Sequence, residues 1–70
     1  MNLSTENHLL QRDKMNSRYE KLTAEAVKFE NAKSYRQAAE AWRKAAQCAR
    51  KPENITWCEQ RAAYCDKVKR

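Results

Sequence analysis

Seventy residues with a formal charge of +6 allow one small domain, close to the lower size at which a single hydrophobic core supports folding. Hydrophobic residues at 41% exclude a wholly disordered chain and charged residues at 34% exclude a membrane span, while an absence of glycine and a single proline disfavour β-hairpins and phosphate-cradling loops. The excess charge sits in the second half, since residues 1–33 hold six basic and five acidic side chains and residues 34–70 hold nine and four.

Residues 1–14 form an N-terminal segment ahead of a helical domain at 15–70. A cap at Ser4 or Thr5 with Leu9 and Leu10 behind it allows an extra N-terminal helix, separate or continuous with the next. The segment lacks the basic start, long apolar stretch and cleavage site of a secretory signal, so the expected location is cytoplasmic.

The first predicted helix covers about 15–31, where Met15, Tyr19, Leu22, Ala26 and Phe29 recur at spacings of four, three, four and three. This stripe is nearly two heptads of a coiled-coil seam, and Met15, Tyr19 and Leu22 are its candidates for self-association into a homodimer. Ser17 and Glu20 fit a capping box, which offers a start at 17.

The second predicted helix runs over 34–50 behind another capping box, Ser34 with Gln37. Along it Tyr35, Ala38, Trp42, Ala45 and Ala49 repeat at helical spacing, and the small alanines allow neighbours to approach closely on two sides. Pro52 ends this segment because it cannot donate the helical hydrogen bond. Asn54 is then the expected cap of a third helix over 54–67, with Cys58, Ala62 and Cys65 on one face and Trp57, Arg61, Tyr64 and Val68 on the adjoining one.

Antiparallel turns at both connectors give an all-α, compact three-helix arrangement whose core is Ala26, Phe29, Ala38, Trp42, Ala45, Cys58, Ala62 and Cys65. Leu22, Ala26, Phe29, Ala38, Trp42 and Ala45 also fit the large and small positions of one tetratricopeptide-like helix pair.

The chemistry-bearing residues are sparse. One histidine, His8, stands apart from the helical segments, and Cys48, Cys58 and Cys65 show no C-x-x-C pairing. The expectation is therefore no enzyme, no metal and no cofactor or small-molecule substrate. Arg36, Arg43, Lys44, Arg50 and Lys51 recur along the outer side of the second helix, where they can meet phosphates, which makes a small basic DNA-binding regulator the alternative reading. Against it stand the missing helix-turn-helix bend and the acidic residues Glu53 and Glu59 at the start of the third helix.

Tyr35, Ala38-Ala39, Trp42, Ala45-Ala46, Ala49, Asn54, Trp57-Cys58, Arg61-Ala62 and Cys65 together form a pattern that resembles the ANR family, the AraC negative regulators, over about residues 20–66. The resemblance implies a small cytoplasmic regulator of Gram-negative bacteria that binds an AraC/XylS-type virulence activator and blocks its dimerisation or DNA binding. For such a partner, Trp57, Arg61 and Tyr64 are the candidate contacts, because aromatic and arginine side chains carry much of the energy of protein interfaces.

Overall fold

Three α-helices, α1 (Ser17–Asn31), α2 (Tyr35–Cys48) and α3 (Pro52–Val68), account for nearly all of residues 16–68, the part of the chain that the computed structural model describes. The all-α expectation holds. Met15 and residues 1–14, where the sequence allowed an extra helix, lie outside the described residues.

Helix α1 starts at Ser17, one of the two starts the sequence offered, and Ser34 stands at the start of α2 as expected, but the capping bonds differ from the expectation at all three helices. The cap of α1 is Asn16, not Ser17: its Oδ1 accepts from the Tyr19 amide at 3.2 Å while its Nδ2 donates to the Cys48 carbonyl at 2.9 Å. One side chain thus closes the start of α1 and ties it to the end of α2, a double role that the shorter serine cannot reach. Ser34 occupies the cap position of α2 but makes no side-chain capping bond. At α3, Pro52 takes the first helical position and the Lys51 carbonyl accepts from the amides of Asn54 and Ile55 at 3.0 and 3.1 Å. Asn54, expected as the cap, therefore lies inside the first turn and is fully buried.

The α1–α2 connector supplies its left-handed residue without glycine. Ser34 N–H donates to the Phe29 carbonyl at 2.8 Å and Lys33 N–H to the Glu30 carbonyl at 2.9 Å, the paired bonds of a Schellman motif, with Lys33 at φ 63°.

Helix α2 lies between the other two and packs against both. The Asn16–Cys48 bond sets α1 antiparallel to α2. Contacts from Tyr19 to Cys58 and from Glu30 to Cys65 then run α1 and α3 in the same direction. Ala38, Ala39, Ala41 and Ala45 are buried along α2, so the helices close tightly around Trp42, which is 1% exposed. Ala26, Cys58, Ala62 and Cys65 complete the buried set, with Phe29 and Leu22 packed against it from its edge.

The buried face of α1 is turned relative to the expected stripe. Asn16, Tyr19, Thr23 and Ala26 are its buried residues, and Leu22 and Phe29 are half-buried on its flank. Polar side chains can hold this line because they are hydrogen-bonded: Asn16 bonds the Tyr19 amide and the Cys48 carbonyl, and the Thr23 hydroxyl donates to the Glu20 carbonyl at 3.0 Å. Among the described residues, no helix is long and apolar enough to cross a membrane.

Candidate functional site

Glu30 stands one helical repeat beyond Ala26 on the buried line of α1, which aims its carboxylate at the junction of all three helices. It receives four donors. Trp42 Nε1 donates to Oε2 at 2.6 Å, Arg61 Nε to Oε2 at 3.3 Å, Arg61 Nη2 to Oε1, and the Cys65 thiol to Oε2 at 3.4 Å. The side chains of Glu30 and Arg61 are 13% and 19% exposed, so this pair is largely removed from water. A carboxylate so placed is stable because the two-pronged guanidinium matches its charge and the indole and thiol fill its remaining lone-pair sites. The thiol responds to its surroundings: burial, reinforced by the charge and hydrogen bond of Glu30, pushes Cys65 up to about 12 from 9.0. Cys65 is thus a protonated donor.

Arg61 connects this interior group to the surface. Its guanidinium carbon lies 4.5 Å from the centre of the Tyr64 ring and 5.9 Å from that of Trp57. Glu30 holds the guanidinium and Arg61 in turn braces the rings, so the three side chains expected at the partner contact form one ordered face on the α1 side of α3. Trp57 is half-buried in it. Tyr64, 45% exposed, is the large apolar side chain that the described residues leave open to solvent.

The residues expected at a self-association seam are distributed otherwise. Tyr19 is 2% exposed within the single chain and receives a weak contact from the Cys58 thiol at 4.0 Å, so it serves the internal core. Leu22 is half-buried beside that core.

On the other side of α3, an open groove of about 500 Å³ runs between α2 and α3, lined by Arg43, Ala46, Gln47, Glu59, Ala62, Ala63 and Asp66. Arg43 Nη1 and Asp66 Oδ2 meet at 2.8 Å across its rim with both side chains well exposed, a pair that contributes little to stability. Arg36, Lys44 and Arg50 are likewise exposed, and Lys51 is half-exposed.

Sequence reasoning missed Glu30, which reads in isolation as a solvated residue near a helix end. The usable signal was its phase, because Tyr19, Thr23, Ala26 and Glu30 follow spacings of four, three and four. Comparison with family models, with curated proteins and with solved structures finds no significant match to this chain.

Proposed function

We propose that this protein is a non-catalytic negative regulator of transcription that acts in the cytoplasm of a Gram-negative bacterium. It binds an AraC/XylS-type activator and blocks that activator's dimerisation or DNA binding. The observation that carries the reading is the Trp57–Arg61–Tyr64 face, an aromatic and arginine surface held in one geometry by Glu30 from within. The ANR-like pattern of α2 and α3 names the class of partner. A preordered surface of this kind loses little side-chain freedom on binding. Inhibition then needs only that the activator's inactive form be bound more tightly than its DNA-binding form by a few kcal/mol.

The reading includes a homodimer through α1, with Leu22 as its described seam residue, and Leu22→Glu lowers its apparent mass in sedimentation. Purified protein leaves promoter DNA unshifted when added alone and abolishes the shift produced by the activator, whereas Tyr64→Ser folds normally and loses this effect. Tight, salt-sensitive binding to promoter DNA without the activator, together with no activator complex, overturns the reading in favour of a DNA-binding regulator.

A further inference from the structure

One flank of α1 stays partly open in the single chain. At about 100° per residue, Leu22 and Phe29 stand about 80° to one side of the buried line Tyr19, Thr23, Ala26 and Glu30, and both are half-buried. Arg18 and Glu25 stand about 40° further round, Arg18 exposed and Glu25 half-buried. The four side chains form two adjacent rows, an apolar pair seven residues apart beside charges of opposite sign with the same separation. That separation is beyond the three or four residues at which side chains pair within one helix, and among the described residues neither Arg18 nor Glu25 has a counter-ion.

The order of the rows selects the occupant and its direction. A helix carrying one sign of charge would satisfy either Arg18 or Glu25 and repel the other. A second copy of α1 laid antiparallel, with a two-fold axis beside Leu22, sets Leu22 against the partner's Leu22. The same operation keeps both charged rows on one side of the contact, so Arg18 comes within about 1.5 Å in height of the partner's Glu25, and Glu25 likewise of the partner's Arg18. A parallel pair lacks this match. It turns the charged row of one copy towards the opposite flank of the other copy's apolar row, where the buried and uncharged Tyr19 and Ala26 lie. The apolar residues favour neither direction, whereas reciprocal charge favours the antiparallel one.

We infer that α1 pairs with α1 of a second copy in the antiparallel sense, centred on Leu22 and flanked by two reciprocal Arg18–Glu25 ion pairs. The inference rests on the homodimer included in the proposed function and gives it a direction and a register. The apolar contact is small, two half-buried side chains from each copy, so the dimer dissociates on dilution and weakens with salt.

The test is sedimentation of the full chain at low salt. It compares the parent with Arg18→Glu, with Glu25→Arg, with an equimolar mixture of these two, and with the double exchange Arg18→Glu/Glu25→Arg, each variant shown to be folded by circular dichroism. The parent dimerises as its concentration rises. Each single reversal sets like charges together twice per dimer and weakens association about tenfold, a loss that shrinks as salt is raised. The mixture and the double exchange bring opposite charges together again and dimerise as the parent does. Single variants that dimerise like the parent, a double exchange that stays monomeric, or a parent that is monomeric at every concentration overturns the inference. A monomeric parent also removes the homodimer from the proposed function, while inhibition of the activator is read separately by the promoter shift. A parent that shows this charge pattern yet forms no activator complex overturns the proposed function and leaves the inference standing.

Discussion

Glu30 is the side chain on which the interior most depends, because its partners come from both other helices and two of them, Trp42 and Cys65, are themselves buried. Truncation strands a cation and an indole N–H together. Glu30→Ala is therefore expected to cost about 2–4 kcal/mol, below the full range for a buried pair because some water reaches it. Glu30→Gln, which keeps an acceptor but not the charge, falls between Ala and the parent in urea denaturation. Cys65 gives the same junction an alkaline signature. Its folded pKa is raised, so its contribution is complete below the unfolded value of 9.0 and is lost as pH climbs towards about 12, where the folded thiol finally ionises. Denaturation midpoints measured from about pH 8 to 10.5 should fall more steeply for the parent than for Cys65→Ala. Equal slopes would show that the thiol keeps its ordinary affinity for the proton.

At the scale of elements, the connectors explain how a chain without glycine turns twice. The second turn relies on proline, whose missing N–H costs nothing at the first position of α3. The first forces Lys33 into the left-handed region, where a side chain crowds its own backbone by about 1 kcal/mol. Lys33→Gly should accordingly stabilise the protein by about 0.5 kcal/mol after allowance for the greater freedom of glycine in the unfolded chain, and Lys33→Val should destabilise it. Thermal unfolding distinguishes the two, and a lowered midpoint for the glycine variant would mean that the Schellman turn carries no strain. The helices themselves were legible: periodicity places all three, and the stripe Cys58, Ala62, Cys65 is buried as its spacing implies. The capping bonds were not. Capping depends on which polar side chain reaches a second partner, and Asn16 outcompetes Ser17 through a carbonyl 32 residues away.

At the scale of the molecule, what sequence concealed was polar burial. Thr23, Asn54 and Glu30 lie on inward faces where an apolar pattern search skips them, and they shift the packed side of α1 away from Leu22 and Phe29. The candidate contact face was legible as residue types at helical spacing. Its rigidity was not, since the Glu30 carboxylate that fixes Arg61 comes from a helix 31 positions earlier. This division also separates stability from recognition: substitutions at Glu30 act on both, while those at Tyr64 or Arg18 act on surfaces that the core does not need.

The two tryptophans lie on opposite sides of that division. Trp42 is sealed in the core and hydrogen-bonded to a carboxylate, while Trp57 is half-buried beside a guanidinium on the candidate contact face. The protein therefore carries two built-in fluorescent reporters with separate duties. Trp57→Phe leaves a chain whose emission moves to longer wavelength only when it unfolds, and the parent's additional change on mixing with a partner reads docking without an attached dye.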